Sequence, residues 1–288
     1  SGWTHAPSGS AQETIIDADM QGIMEAFSEI DGDELDIVLH SPGGDPGATE
    51  SIVDYIRSKY DDIRIFVPHA AMSAATMMCC AADTLVMGRH SFLGPIDPQM
   101  TLDTPTGHRP VPAGAILSQF EQAQEDIEDD QENLAYWTPI IRQYGPGLLQ
   151  ECEQAMDLSE ELAREWASEY LLSGSENPRQ LAKSLSSDLT DYDEFKIHNR
   201  HLHRDKARSL GFEVDDLEED DQLQDLVLTT YHIATLTHDH KSIAKIIETH
   251  EGNRFMSGAP NQGAGAGTTQ SFNMPPNGPP QPENEDLL

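Results

Sequence analysis

Short apolar runs alternate with glycine- and serine-bearing turns and amphipathic stretches along the first hundred residues. Leu35-Asp36-Ile37-Val38-Leu39-His40 reads as a strand. It leads into Ser41-Pro42-Gly43-Gly44-Asp45-Pro46-Gly47, beyond which an amphipathic helix is expected over 48–60. A second strand, 63–67, is rich in β-branched residues and stops at Pro68, and the Ala, Thr, Met and Cys run before Ala82 reads as a buried helix. Strand, turn and helix therefore occur twice in succession. Ahead of them, Ile15 and Ile16 followed by Ile23, Phe27 and Ile30 predict a strand end and a helix with one buried face. After them, 84–87 predicts another short strand and 88–91 a turn.

Further on the pattern changes. Residues 101–112, rich in Pro, Thr and Gly, read as a loop. A long helical region follows, to about residue 172, with a break at Tyr144-Gly145-Pro146-Gly147. Ile116, Phe120, Ile127, Leu148, Leu149, Cys152 and Met156 fall at helical spacing, as packing faces do. The α/β pattern returns over 179–212: a helix through Leu181 and Leu185, a loop at 187–193, the stretch 195–203, and a helix at 204–210 with Gly211 as its C-cap. The acid-rich run 213–225 reads as solvated surface and lacks the spacing of a calcium loop. Residues 226–247 read as a helical pair. The domain is expected to span 1–254, with a helical insertion at about 113–172, and the Gly, Pro, Asn and Gln of 255–288 to form a disordered tail.

The chemistry concentrates at two turns. Ser73 stands where a strand gives way to a helix, so its hydroxyl can stand clear of the sheet while the unpaired N–H groups of the first helical turn face an anion forming beside it. A nucleophilic serine needs that arrangement. A serine that only caps the helix would occupy the same position. At the other turn, Gly43 and Gly44 let backbone N–H groups approach a ligand, so that one of them and the N–H of Ala74 would form an oxyanion hole. A plain tight turn is the alternative.

Taken together, LHSPGGDPGATESIVDYIRS, VPHAAMSAATM, LGPIDPQM and IHNRHLHRDKARSLGFEV resemble the serine dehydrogenase proteinase family, within the Clp-protease and signal-peptide-peptidase superfamily. The likeness covers roughly residues 1–255. It implies an α/β fold, the ClpP/crotonase-like spiral of ββα units with a helical arm, and Ser73 as the nucleophile of a serine peptidase. It also implies a ring or stacked homo-oligomer, and a β-strand ahead of Ser1 that this chain would lack.

The resemblance does not carry over a base. Signal peptide peptidases use a lysine downstream of the serine, but no lysine lies between Lys59 and Lys183. The Clp subunit uses a histidine in a loop that here reads Ile96-Asp97-Pro98. By order along the fold, His198 falls where that subunit holds its triad aspartate, and Asp97 near its histidine. An exchange of partners is therefore expected, with His198 as base and Asp97 orienting it. His201 is a second candidate; His69 and His90 read as surface or packing residues. Two further readings use the same chain. His198, His201, His203, His232, His238 and His240 would supply a metal hydrolase, although their spacing matches no established zinc motif. A crotonase-like binding or assembly module would use the oxyanion N–H groups and leave Ser73 without a role.

Composition narrows the partners. With 51 Asp and Glu against 17 Lys and Arg the net charge is −34, which excludes nucleic acid and anionic membranes as expected partners by repulsion. The acids are scattered over the whole chain, as in a halophilic protein solvated at high salt. Cys79, Cys80 and Cys152 form no disulfide framework, and no run reaches the length of a membrane span. The expectation is a cytoplasmic peptidase that acts on peptide or protein substrates and needs no cofactor. An unfoldase would be a further partner, of a kind the sequence does not specify.

Overall fold

In the computed structural model, the structure describes residues 13–28, 30–104, 107–191, 200–241 and 243–258. The elements run α1 (Asp19–Ala26), β1 (Glu34–Val38), α2 (Pro46–Arg57), β2 (Asp62–Val67), β3 (Ala70–Ala71), α3 (Ala74–Cys80), β4 (Thr84–Met87) and β5 (Phe92–Leu93). A hairpin, β6 (Gln99–Thr104) and β7 (Gly107–Pro112), precedes the helices α4 (Ala113–Asp129), α5 (Leu134–Ile141), α6 (Leu148–Trp166) and α7 (Pro178–Thr190). Then come β8 (Leu202–His203), α8 (Arg204–Leu210), β9 (Asp215–Asp216), α9 (Asp221–Lys241), β10 (Ile243–Glu248) and β11 (Arg254–Gly258).

β1, β2, β4 and β9 form one parallel sheet in that order. β1, β2 and β4 each lead on to a short piece of a second layer, which β8 completes: Ser41 bridges Ala71 of β3, β3 pairs with β5, and β5 pairs with β8. A helix then returns the chain to the first sheet, α2 between β1 and β2 and α3 between β2 and β4. This is the expected ββα repeat, and the fold is α/β as the sequence indicates. Asp45 starts α2 by accepting the Ala48 N–H at 2.8 Å, with Pro46 in the first turn.

The main core joins Ile65, Leu85, Met77 and Cys80 to Trp166, Leu185 and Leu189 of the later helices. On the other sheet face, Phe66 and Val86 lie under Leu217 and Val227. The helical arm has its own cluster, Ala113, Ile116 and Cys152, against Met100, Leu102 and Val111.

Five expectations need correction. Where a loop was expected, β6 and β7 pair as antiparallel strands, because Met100, Leu102 and Val111 pack against the arm; Pro110 and Pro112 are tolerated in a two-stranded ribbon that has only edge strands. α7 runs on through Leu189 and Thr190, both buried, where a loop was expected from residue 187. The expected helical pair is one helix followed by a strand, since Ile243, Ile246 and Ile247 are β-branched and pair with β11. The hairpin also carries ordered structure to Gly258, past the expected boundary at 254. Within the acid-rich run, Asp216 and Glu218 are engaged by Arg204, so that stretch is only partly a solvated surface.

Candidate active site

Ser73 joins β3 to α3 with φ 51° and ψ −121°, the only non-glycine residue of positive φ among those described. Such a backbone costs ~1–3 kcal/mol and persists only where neighbours enforce it. Thr76 is one of them: its hydroxyl lies 2.8 Å from the Ala71 carbonyl and 2.9 Å from that of Gly94, and accepts the Gly94 N–H at 3.1 Å. The Ala75 N–H closes the turn on the Met72 carbonyl at 2.9 Å. The Ser73 side chain does not cap α3, so the helix-capping alternative fails. It is half-buried, at the edge of a wholly buried helix.

The glycine turn packs directly on this one. Gly43 has φ +92°, and a Cβ built there would lie 2.4 Å from the Met72 carbonyl oxygen, 2.8 Å from Ser73 Cβ and 2.9 Å from Ala74 N. Gly44 faces the other way, where a Cβ would lie 2.2 Å from the Ile15 carbonyl oxygen. Both glycines are thus required by close approach, each to a different partner. The Gly43 N–H is consumed by Ser41 Oγ at 3.1 Å. Ile15 donates to the Gly43 carbonyl at 2.8 Å and accepts from Asp45 N–H at 2.9 Å, leaving the Gly44 N–H pointing away from the strap. Of the two sequence candidates, Gly44 is therefore the one whose N–H is available, beside that of Ala74.

The strap at Thr14-Ile15-Ile16 is held in turn by a buried ion pair. Lys245 Nζ donates to Asp19 and to the Thr14 carbonyl, each at 2.7 Å, and Asp19 accepts the Ile16 N–H at 2.9 Å. Sequence reading missed this support, because nothing local links residue 19 to residue 245. It also missed Ser41 and Thr76; the serine of SPGG and the threonine of MSAAT were the available signals.

The structure brings the candidate partners only partly together. Asp97 is buried at 3% exposure and accepts from Gln99 at 3.2 Å. The neighbouring Ile96 N–H bonds the Leu189 carbonyl at 3.0 Å, tying this loop to the end of α7. His198 lies outside the described residues, with residues 192–199. The chain enters that segment beside the Asp97 loop and returns at β8, which pairs with β5. His201 is exposed and stacked on Phe92, ring centroids 3.8 Å apart, with no hydrogen bond to Ser73. His90 binds the Pro68 carbonyl at 2.8 Å, a tether. His69 packs edge-on to Phe92, its pKa lowered by burial and by His90 and His201. Burial pushes the Cys80 thiol up to about 12 and Cys79 upward as well, so neither is a nucleophile. Among the described residues no group of three or more His, Cys, Asp or Glu is placed to hold a metal ion, and no helix is long and apolar enough to cross a membrane.

A parallel sheet of ββα repeats, with a strained serine opposite a diglycine turn, defines a ClpP-like α/β protein. More particularly, the chain belongs to the ClpP-like SDH-type serine proteinase family, which its residues 14–218 match. It is 34% identical over 114 residues to an uncharacterized protein of Methanocaldococcus jannaschii, covering 39% of this chain and 37% of that protein. A second uncharacterized protein of the same organism is 26% identical over 180 residues, 62% of this chain and 51% of that one. The chain thus spans about half, or less, of the length of these curated relatives. Among solved structures it is similar to the 1510-N membrane-bound stomatin-specific protease. One mutant of that protease aligns at 17% identity and TM-score 0.39, over 70% of this chain and 74% of that one. Another, in complex with a substrate peptide, aligns at 16% and 0.40 over 70% of each.

Proposed function

We propose that this chain is a serine peptidase in which Ser73 Oγ attacks the carbonyl carbon of a peptide bond. The developing oxyanion is held by the N–H groups of Gly44 and Ala74, and the resulting acyl-enzyme is released by water. The observation that carries this reading is the close approach of Gly43 to Ser73 and Ala74, which sets the diglycine turn against a serine held in strained geometry. A plain tight turn has no need for that contact.

For the proton transfers the proposal assigns a histidine of the 198–201 segment as base, His198 before His201, with Asp97 to orient it. The support is that the Asp97 loop and both flanks of the segment meet around β5 and the end of α7. His201, stacked on Phe92, would have to leave that ring to serve. Leu134 and Tyr136 on α5 are 54% and 66% exposed, which supports the arm meeting another subunit or the substrate.

The test is covalent labelling by a fluorophosphonate probe, in high and low salt, of the wild type beside Ser73→Ala. Labelling that the mutation alone abolishes is the expected result. No labelling of either protein overturns the nucleophile assignment and leaves the crotonase-like binding module as the reading.

A further inference from the structure

Gly44, the proposed oxyanion donor, and the serine belong to different repeats, which meet at the bridge between Ser41 and Ala71. β1 parts from β2 at Leu39, whose N–H bonds the Phe66 carbonyl at 2.8 Å. The chain reaches the second layer at Ser41, whose N–H bonds the Ala70 carbonyl at 3.1 Å and whose carbonyl accepts the Met72 N–H at 3.0 Å. His40 is the residue at that crossing and is 5% exposed. Its Nδ1 lies 3.1 Å from the Ala70 carbonyl oxygen and 3.3 Å from the Ala70 nitrogen. The ring is walled by His69 at 5.4 Å and, edge-on, by Tyr231 of α9 at 5.0 Å. α9 lies beyond the family-matched residues, so this seal comes from outside the matched part of the fold.

We propose that His40 is a positioning residue, whose imidazole clasps the Ala70 backbone and so fixes the Gly43-Gly44 turn against the Ser73 turn. The proposal rests on the reading of Ser73 as nucleophile. The neutral ring makes one of these two bonds at a time: with Nδ1 protonated it donates to the Ala70 carbonyl that also accepts the Ser41 N–H, and with Nδ1 unprotonated it accepts the Ala70 N–H, so either tautomer holds the Ala70 backbone. Ala70 lies three residues before Ser73, on the strand that delivers it. Burial, aided by His69 and by His238 of α9, pushes the ring's pKa down to about 3, so the clasp works with a neutral ring. A histidine that merely filled space would not need Nδ1 against a backbone polar pair.

His40→Phe keeps the ring and removes the donor, whereas His40→Asn places an amide near Nδ1 and His40→Gln places one near Nε2. In wild type and variants, two readouts are followed: the rate of fluorophosphonate labelling against probe concentration, and hydrogen exchange at the Ser41 and Met72 amides. The expected result for His40→Phe is a maximal labelling rate at least tenfold lower at nearly unchanged half-saturation, with exchange at both amides at least tenfold faster. Asn restores most of both losses, Gln does not, and the pH profile of labelling keeps its shape. Equal effects of Asn and Phe, or unchanged exchange in Phe, overturn the proposal. If Phe does not fold, the comparison of Asn with Gln decides in the same way. If the wild type itself does not label, the nucleophile reading fails while the exchange comparison still tests the clasp.

Discussion

Lys245 and Asp19 are 226 residues apart and meet at 2.7 Å, with side chains only 9% and 7% exposed. Between them they hold the strap whose Ile15 backs the glycine turn, so a charge pair near the end of the described chain supports the site near its start.

Removing one partner leaves the other charge buried. Lys245→Met is therefore expected to lose ~3–5 kcal/mol of stability, read from denaturant unfolding in high salt. Replacing both, Asp19→Leu with Lys245→Met, recovers most of that loss, because the uncompensated charge is gone. Labelling at Ser73 stays several-fold below wild type in the double variant, since the Thr14 carbonyl and the Ile16 N–H have lost their anchor. A double variant with wild-type labelling separates the strap from the site.

Gly43→Ala is expected to slow labelling about a hundredfold and to cost stability as well. The added methyl would lie 2.4 Å from the Met72 carbonyl oxygen, at a φ of +92° that alanine resists, so the two turns must move apart. Displacing one oxyanion donor typically costs on the order of 100-fold in rate. The check is the labelling rate at a temperature where circular dichroism shows the variant folded: a reaction about a hundredfold slower there supports the shared geometry, and a wild-type rate separates the two turns.

The sequence already displayed what local chemistry controls. Period and turn residues marked β1, α2, β2, α3 and β4, and Gly211, at φ +107°, closes α8 as its type and place indicate. Ser73 and the diglycine turn stood out as candidates because they end strands in two successive repeats, although a helix cap and a plain tight turn share that local pattern. Long-range pairing was not legible. Met100, Leu102 and Val111 look like loop residues until the arm covers them, and Ile243, Ile246 and Ile247 look helical until β11 pairs with them. The choice of Gly44 over Gly43 depended on a hydroxyl two residues away, since Ser41 takes the Gly43 N–H.

Acid should destabilise the protein partly through His40. Its folded-state pKa of about 3 lies below the ordinary 6.5, so above pH 6.5 neither state binds the proton and the residue contributes nothing. As pH falls below 6.5 the unfolded chain is protonated first, and stability drops by ~1.4 kcal/mol per pH unit until about pH 3. His69, also lowered, acts in the same direction. Unfolding free energies of wild type and His40→Asn at pH 7 and pH 4.5 test this, with the variant expected to lose about 2–3 kcal/mol less on acidification. Equal losses would place the acid sensitivity elsewhere.

Low salt is the last expected stress. A net charge of −34, with 51 acids scattered among 17 basic residues, makes the compact state self-repelling. The screening length is about 30 Å at 0.01 M salt, comparable to the size of a domain, and about 3 Å at 1 M, shorter than most distances between surface charges. Added NaCl is therefore expected to raise the thermal midpoint steeply at first and then level off. The buried Lys245–Asp19 pair should be nearly indifferent, because solvent ions do not reach it. The shape of the curve identifies the cause: levelling below roughly 0.5 M marks relief of repulsion, whereas a rise that continues linearly into molar salt marks preferential exclusion from the surface. A midpoint that does not respond to salt would show that the acid excess places no repulsive load on this fold.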